Sequence, residues 1–180
     1  MLKQSSSTGS CQVELVAALD DAVRSDHRPR PVVDAVTGAL IPFLRRPDLL
    51  TTAQRTGNPA GYRQRVLYVA DDGAFSVVAL VWLPGQATPI HDHLSWCVVG
   101  VHQGEESETR YRLVDDRLVV EQEGLTSPTG TVAGLIPPGD IHRVTNAGND
   151  VAISLHVYGA DLRQRPSSIR RCYDLPISRA

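Results

Sequence analysis

The sequence predicts an all-β sandwich or barrel with two or so N-terminal α-helices packed outside it. From residue 62 onward, short β-rich runs alternate with turn residues at about one run per 8–12 residues, which is typical of all-β folds rather than βαβ units. Before residue 50, apolar residues recur at helical spacing. The chain of 180 residues is 42% hydrophobic and 21% charged, so it is long enough for one domain with a sizeable core.

Apolar positions indicate two helices before the β-rich part. The first helical face is formed by Leu15, Ala18, Leu19, Ala22 and Val23. After a Pro-rich break over 28–31, a second face is formed by Val33, Val36, Leu40 and Leu44. Pro42 interrupts the second helix and Pro47 lies near its end, because proline cannot continue the helical hydrogen bonds.

Turn residues divide the β-rich part into eight predicted strands. The runs cover residues 62–70, 75–83, 96–103, 107–114, 117–123, 132–136, 142–146 and 151–158. We therefore expect a single domain over 11–180, preceded by a disordered Ser-rich tail over 1–10. Within that domain, a helical arm over 11–52 precedes a β-barrel over 60–160, and a C-terminal arm over 161–180 lies on the surface.

Charge and cysteine usage exclude several classes of protein. The net charge is −2 with both signs interspersed, so no basic stripe for nucleic acid is present. Residues 1–10 lack the apolar core of a signal peptide, and apolar runs such as 77–83 are too short for a bilayer. The three cysteines lack the spacing of a disulfide scaffold or zinc knuckle: Cys11, Cys97 and Cys172. We expect a cytoplasmic protein without a nucleic-acid, membrane or obligate protein partner.

Three histidines form the most informative pattern in the chain. His91 and His93 are two residues apart, so a strand would point both imidazoles to one side and Asp92 to the other. A bare His-x-His pair is more often a pair of surface residues. Here His142 follows a tight Pro-Pro-Gly turn, and neutral imidazole is the commonest protein ligand for iron, zinc, copper and nickel. The pattern predicts a three-histidine metal site.

Both segments match the paired motifs of the cupin superfamily. The matching positions of the first motif are Gly85, His91, His93 and Gly104. Those of the second are Pro137, Gly139, His142 and Asn146, and the glycine expected before Pro137 is displaced. The chain thus resembles a cupin, which implies a jelly-roll β-barrel or sandwich with the two motifs on neighbouring strands.

One residue departs from the usual cupin pattern. Cys97 stands where most cupins carry a glutamate ligand, so the metal site loses a negative charge. A divalent metal on three neutral imidazoles keeps its full charge and open positions, which favours an anionic substrate such as a thiolate. Cys97 is either a fourth ligand, which would compete with that substrate, or a small buried apolar residue.

A Ser-x-His-x-Tyr run narrows the resemblance to the thiol dioxygenases, the group that contains cysteine dioxygenase and 3-mercaptopropionate dioxygenase. Ser154, His156 and Tyr158 match that run and share one strand face. The resemblance implies Fe(II) on the three histidines and oxidation of a small thiol by O₂ to the sulfinic acid. It also implies that Tyr158 hydrogen-bonds the substrate, that His156 holds Tyr158, and that Ser154 holds His156.

Two further features bear on chemistry and substrate. Some cysteine dioxygenases join a cysteine to this tyrosine, so we hypothesise a thioether between Cys97 and Tyr158. In the family, Tyr-x-Arg grips the carboxylate of cysteine, and glutamine replaces the arginine in mercaptopropionate-type enzymes. The run here consists of Tyr62, Arg63, Gln64 and Arg65. Strand parity favours Tyr62 and Gln64 on the pocket face, and a bulge would bring in Arg63 or Arg65 instead.

Several polar residues are expected outside the site. His102 has the parity opposite to Cys97 and is expected to face solvent. The acidic cluster of Glu105, Glu106 and Glu108 is expected to be a solvated strand edge. Two alternatives to the thiol dioxygenase stay open: a cupin metalloenzyme acting on a non-thiol substrate, and a non-catalytic cupin that binds a metal or small ligand.

Overall fold

The computed structural model describes residues 3–179, with side chains from residue 9 onward. The helices are α1 (Lys3–Val23) and α2 (Pro29–Leu40), followed by a 3₁₀ helix over Ile41–Phe43. The start of α1 differs from the disordered tail expected over 1–10, of which residues 1 and 2 lie outside the described residues. Serine lowers helix propensity without breaking a helix, and Ser10 donates to Glu14 one turn on.

Each helix is stabilised by an apolar face that is buried in the core. Leu15 and Leu19 of α1, and Val36 and Leu40 of α2, are almost completely buried. Proline at the first position of α2 is tolerated because the N–H it lacks would have no partner there. The predicted helical arm therefore forms a layer whose apolar faces pack onto the β part.

Eleven strands follow in the described residues. They are β1 (Arg63–Val69), β2 (Ser76–Trp82), β3 (His91–His93), β4 (Cys97–Gln103), β5 (Glu105–Val114), β6 (Arg117–Pro128), β7 (Val132–Leu135), β8 (His142–Thr145), β9 (Ala152–Tyr158), β10 (Ile169–Cys172) and β11 (Ile177–Arg179). One sheet has the order β1-β2-β9-β4-β7, and the other has the order β10-β3-β8-β5-β6-β11. Almost all pairs are antiparallel, and β11 pairs with β6 in parallel.

One of the connections between the two sheets turns at Gly104, between β4 and β5. Its φ of 73° is a conformation that side-chain-bearing residues rarely adopt, and a Cβ there would lie 2.9 Å from the Val151 carbonyl oxygen. Gly104, the second of the two glycines that matched the first motif, therefore has a structural role, because it lets the chain turn sharply from one sheet into the other.

The first sheet is covered on both faces. The outward side chains of β2, Val77, Ala79 and Val81, pack with the helices in the larger core cluster. The inward ones, Val78, Leu80 and Trp82, belong to a second cluster inside the barrel. All seven residues of β2 and of β9 are consequently buried, which explains why β2 is almost entirely apolar in sequence.

His102, on the outer face of β4, is buried by the helical arm. Its parity is opposite to that of Cys97, as expected, but the side chain is only 6% exposed, so the expectation that it faces solvent is wrong. The Nδ1–H of His102 donates to the Leu44 carbonyl oxygen at 2.9 Å. The helical arm, rather than water, lies on the outer face of β4.

The C-terminal segment is more than a surface arm. β10 pairs with β3, the strand that carries His91 and His93, and β11 extends the edge beside β6. Asp92 points away from the two histidines and receives hydrogen bonds from Arg170 and from the Tyr173 hydroxyl at 2.9 Å. This buried carboxylate therefore holds the C-terminal segment against β3. Among the described helices, none has the length and apolar character needed to cross a membrane.

Candidate metal centre

The three predicted histidines meet inside the barrel. His91 and His93 lie on β3, His142 lies directly opposite His91 on β8, and all three are buried. One potential ligand atom from each lies within 4.8 Å of the others, and the ring centroids are 4.6–5.1 Å apart. Within the described residues, this is the group of side chains arranged to hold a metal ion.

Each imidazole is oriented by a hydrogen bond from its Nδ1 atom. The acceptors are the Pro89 carbonyl oxygen at 3.0 Å for His91, Asp140 Oδ2 at 2.9 Å for His93, and Glu108 Oε1 at 2.8 Å for His142. Since Nδ1 carries the proton, the lone pair of Nε2 is free to bind a cation. The buried Nε2 of His142 indeed has no hydrogen-bond partner among the described residues, which fits a metal ligand.

The charge state of these groups also suits a cation. Burial lowers the pKa of His91 to about 3, with further lowering from the positive forms of His142 and His93, so its imidazole is neutral. Burial alone would raise the pKa of Glu108 and Asp140. Hydrogen bonds outweigh burial: His142 and Arg110 lower the pKa of Glu108, and His93 lowers that of Asp140. Both pKa values therefore lie below the usual range and both groups are carboxylates. Two anions behind the imidazoles compensate the charge of a divalent ion.

Glu106 and Glu108 correct the expected solvated strand edge. Glu105 is exposed, but Glu106 is only 4% exposed and Glu108 is largely covered, because β5 lies in the second sheet with alternate side chains facing the barrel interior. The two-residue spacing of Glu106 and Glu108 could have indicated that both side chains lie on the same, inward face of β5. The acidic composition favoured the opposite prediction, because an acidic run on a strand usually faces water. Asp140, close to His142 in sequence, was also missed.

Cys97 lies beside the tyrosine rather than among the metal ligands. Its strand register places it directly opposite Tyr158, and both side chains are buried. Its Sγ is 4.0 Å from His156 Nδ1. Burial raises the pKa of the Cys97 thiol well above its usual range, with Asp140 and Glu108 adding to the rise, so the group is a neutral thiol.

Ser154, His156 and Tyr158 form a continuous hydrogen-bonded chain on β9. Ser154 Oγ lies 2.9 Å from His156 Nε2, and His156 Nδ1 lies 3.0 Å from the Tyr158 hydroxyl oxygen. The indole Nε1 of Trp82 donates to Ser154 Oγ at 3.2 Å. Burial, and then the three site histidines, lower the pKa of His156 well below its usual range. Burial raises the pKa of Tyr158, so both groups are neutral.

A cavity of about 30 Å³, here called the metal cavity, joins these groups. The three histidines, His156 and Tyr158 line it together with Tyr62, Gln64, Ser167, Ser168 and Ile169. The last three belong to the C-terminal segment, whose contribution no sequence pattern indicated. Among the described residues, no arginine lines the metal cavity.

The side chains of β1 alternate between the two faces of the sheet, as the alternation in the sequence predicts. Gln64 pairs with the inward Leu80, whereas Arg63 and Arg65 pair with the outward Val81 and Ala79. The bulge in β1 falls between residues 66 and 68, beyond this run, so it leaves the alternation intact. Gln64 Nε2 donates one hydrogen bond to the Pro166 carbonyl oxygen at 3.0 Å and keeps a second N–H. Tyr62 stacks on Trp82 with ring centroids 4.5 Å apart.

Three histidines that could hold a metal ion, inside a small two-sheet β-barrel, define the chain as a cupin, as predicted. The family model described as cysteine dioxygenase type I matches residues 56–169, more than half of the chain. The chain therefore belongs to the cysteine dioxygenase type I family of the cupin superfamily.

The chain is also similar, at lower levels, to several solved structures. TT1209 from Thermus thermophilus is 24% identical with a TM-score of 0.48, over 62% of this chain and 96% of that one. A cupin superfamily protein from Desulfitobacterium hafniense DCB-2 is 13% identical with a TM-score of 0.44, over 57% and 81%. A Cupin 2 conserved barrel domain protein from Salinispora arenicola CNS-205 is 19% identical with a TM-score of 0.44, over 61% and 83%.

The Glu108–His142 hydrogen bond predicts a specific effect on metal affinity. Glu108→Gln keeps the shape and an acceptor but removes the negative charge, so we expect metal to bind about 10–100-fold more weakly. Competition with a chelator measures the affinity. Glu121→Gln is the control, because Glu121 is also a β-strand carboxylate but pairs with Arg112 on the surface. Equal affinities for the two variants would contradict a role of Glu108 in tuning the ligand.

Proposed function

We propose that the protein is a mononuclear non-haem Fe(II) thiol dioxygenase that converts a small thiol and O₂ into the sulfinic acid. One observation carries the proposal: the imidazoles of His91, His93 and His142 converge on the cavity into which the hydrogen-bonded Tyr158 also projects. Membership of the cysteine dioxygenase type I family supports this class of reaction. The small cavity restricts the substrate to a small molecule.

The residues of the chain have separate tasks in this proposal. Iron(II) held by His91, His93 and His142 would bring the thiolate sulfur and O₂ to one centre and allow electrons to pass from sulfur to oxygen. Tyr158 supplies a neutral hydroxyl whose hydrogen bond orients the reactants. His156 fixes the ring and hydroxyl of Tyr158, and Ser154 fixes His156.

The substrate is proposed to be L-cysteine or 3-mercaptopropionate. Gln64 on β1 and Tyr62 just before it line the metal cavity, and they would bind the substrate carboxylate through neutral donors. Because Gln64 stands where mercaptopropionate-type enzymes carry glutamine, and neither Arg63 nor Arg65 reaches the lining, 3-mercaptopropionate is the favoured substrate. The two arginines that the sequence left open are not proposed as carboxylate partners.

Replacing Gln64 tests this assignment. Gln64→Ala removes one neutral hydrogen bond to the carboxylate, so we expect KM for 3-mercaptopropionate to rise by about tenfold while kcat changes little. Steady-state O₂ uptake provides both constants. Arg65→Ala is the matched control on the same strand, since its guanidinium donates to the Ala53 carbonyl oxygen outside the cavity. A larger rise of KM in the Arg65 variant would contradict the proposed role of Gln64.

The thioether between Cys97 and Tyr158 stays a hypothesis, supported by their direct cross-strand pairing. In directly opposed pairs the Cβ atoms lie about 4.5–5.5 Å apart, within reach of a Sγ-to-ring bond. The bond would replace the thiol hydrogen and one ring hydrogen, with O₂ as oxidant. After aerobic turnover we expect a joined peptide lighter by two hydrogen atoms, which Cys97→Ser abolishes. Two separate, unmodified peptides in the wild-type digest would contradict the crosslink.

We also propose that the protein acts in the cytoplasm with no nucleic-acid, membrane or obligate protein partner. The three cysteines are unpaired, as is typical of a reducing compartment. The charge pattern of the sequence supports the same view.

The proposed function is tested by O₂ consumption of anaerobically iron(II)-loaded protein supplied in turn with L-cysteine, 3-mercaptopropionate and cysteamine. We expect rapid uptake with a carboxylate-bearing thiol and slow uptake with cysteamine, which lacks the carboxylate. Absence of uptake with every thiol, despite about one bound iron per chain, would contradict the proposal. It would favour a cupin acting on a non-thiol substrate or a non-catalytic cupin.

A further inference from the structure

An open cavity of about 370 Å³, here called the outer cavity, lies where the segment after the 3₁₀ helix meets the end of β4. Its lining includes Arg45, Arg46 and Arg55, together with His102 of β4. Among the described residues, no carboxylate lines it, and it shares no lining residue with the metal cavity. Small-molecule sites have volumes of about 300–1,000 Å³. The outer cavity is therefore a positively charged space of suitable size, separate from the metal site.

Arg55 is held in this cavity by neutral acceptors. It donates from Nε to the Leu50 carbonyl oxygen at 3.1 Å, from Nη2 to the Pro47 carbonyl oxygen at 2.8 Å and from Nη1 to Gln103 Oε1 at 3.2 Å. A guanidinium has five N–H donors, so two remain for a ligand. Burial lowers the pKa of Arg55, and no carboxylate of the described residues offsets this effect. Its positive charge is therefore fixed in position and lacks a compensating anion.

Arg45 lies over the turn that precedes β7. Its Nη2 donates to the Thr129 carbonyl oxygen at 2.9 Å. A Cβ at Gly130 would lie 2.8 Å from Nη2 and 3.0 Å from Nε, so the guanidinium packs on the bare backbone of this glycine. Among the described residues, Arg45 forms no ion pair. Arg46 differs, because Asp48 pairs with it at 2.9 Å. Arg45 and Arg55 thus supply the uncompensated charge.

His102 adds a hydrogen-bond acceptor to these two cations. Because its Nδ1–H donates to the Leu44 carbonyl oxygen, Nε2 carries only a lone pair. Burial, and then the charge of Arg55, lower the pKa of His102, so the imidazole is neutral. Its Nε2 is buried and has no hydrogen-bond partner among the described residues. A buried polar atom of this kind usually has a partner, and a ligand hydroxyl in the outer cavity would supply one.

This combination of donors and acceptor favours one class of anion. The guanidinium groups of Arg45 and Arg55 bind negatively charged oxygen atoms, and arginine suits phosphate in particular. The bare Nε2 of His102 requires a proton donor in the same ligand. Sulfate and carboxylate ions bring only lone pairs, which would face the nitrogen lone pair. A phosphate group that keeps a hydroxyl satisfies both requirements.

We propose that the outer cavity binds a small molecule with a protonated phosphate group, whose charged oxygens contact Arg45 and Arg55 and whose hydroxyl donates to His102 Nε2. Free phosphate and a small phosphate monoester share this chemistry, and the volume has room for either. The inference does not depend on the proposed function, because no residue of the outer cavity lines the metal cavity.

The test is an NMR titration of the ¹⁵N-labelled full chain loaded with Zn(II), at about pH 6, where about half of a phosphate monoester keeps its hydroxyl. Inorganic phosphate and glycerol phosphate are added in turn at constant ionic strength, and sulfate is the anion without a hydroxyl. We expect saturable shifts of the Gln103, Thr129 and Gly130 amides with a phosphate compound, and at least about tenfold weaker binding of sulfate. Both phosphate compounds support the proposal, and the tighter one identifies the source.

Two variants separate the contributions of charge and hydrogen bonding. Arg45→Gln keeps an amide donor and removes the charge, so we expect phosphate to bind about tenfold more weakly or worse. Arg112→Gln is the matched control, because Arg112 is an exposed arginine that pairs with Glu121 elsewhere on the surface, and it should bind phosphate as the wild type does. His102→Gln should lose the preference for phosphate over sulfate, since the glutamine amide can donate as well as accept.

The wild-type titration alone can overturn the proposal, so no variant has to fold for the test to decide. Absence of saturable shifts around the outer cavity would overturn it. Shifts confined to residues of the metal cavity would do the same, because they would report phosphate bound to the zinc ion. Sulfate binding as tightly as phosphate would contradict the role of His102. The O₂-uptake result has no bearing on this outcome, so the inference and the proposed function fail independently.

Discussion

His142→Ala is expected to remove both the bound metal and the activity. The variant deletes one of three ligands and leaves Glu108 as a buried carboxylate without its imidazole partner. Two remaining imidazoles cannot hold a divalent ion in a site built for three, so we expect bound iron to fall from about one to below about 0.1 per chain. Turnover should fall at least about 10³-fold. Elemental analysis after gel filtration and O₂ uptake measure the two effects.

His102→Gln is the matched control for this variant. His102 is likewise buried and hydrogen-bonded to an oxygen acceptor, but it lies on the outer face of β4 against the helical arm. We expect His102→Gln to lose some stability and to retain its iron and its turnover. If both variants lost iron equally, general unfolding would explain the loss. Iron retained by a folded His142→Ala would contradict the three-histidine site.

Tyr158→Phe is expected to separate catalysis from metal binding. Phenylalanine keeps the buried ring and removes the hydroxyl that meets His156 at 3.0 Å. A positioned proton donor or acceptor contributes about 10²–10⁴-fold to a rate, so we expect kcat to fall by that factor. Iron content should stay unchanged, because the tyrosine is not among the three ligands. Parallel metal analysis and O₂ uptake are the measurements.

The appropriate comparison is Tyr111→Phe, a buried tyrosine in a separate apolar cluster with Leu118, Ile141 and Tyr173. That change should leave kcat within about threefold of the wild type, since it does not alter the lining of the metal cavity. A non-catalytic cupin would show no dependence of any chemistry on the Tyr158 hydroxyl. Unchanged turnover in Tyr158→Phe would therefore contradict the role proposed for the Ser154–His156–Tyr158 chain.

Local periodicity predicted those parts of the fold and site that depend on one strand or helix at a time. The helical spacing of Leu15 and Leu19 and the two-residue spacing of His91 and His93 each report a face directly. Gln64 faces the cavity for the same reason, because the strand is regular where it lies. The paired motifs supplied the long-range information that brings His142 to the other two histidines.

The sequence did not predict which elements of the fold cover each strand or helix face. The parity of His102 was correct, but only the fold shows that helices cover that face. Glu106 and Glu108 resembled a solvated edge until the sheet order placed their side chains inside the barrel. Ser168 lies in a segment without periodicity, and its place in the cavity depends on β10 pairing with β3. Tertiary context, rather than local preference, decides these positions.

The most direct test of the central claim is the origin of the oxygen atoms in the product. Iron(II)-loaded protein is allowed to turn over 3-mercaptopropionate or L-cysteine under ¹⁸O₂ in ordinary water, and the product is analysed by mass spectrometry. A thiol dioxygenase places both atoms of O₂ on the same sulfur, so the account predicts a doubly labelled sulfinic acid. A product that is only the disulfide, or a sulfinate whose oxygen comes from water, would contradict it.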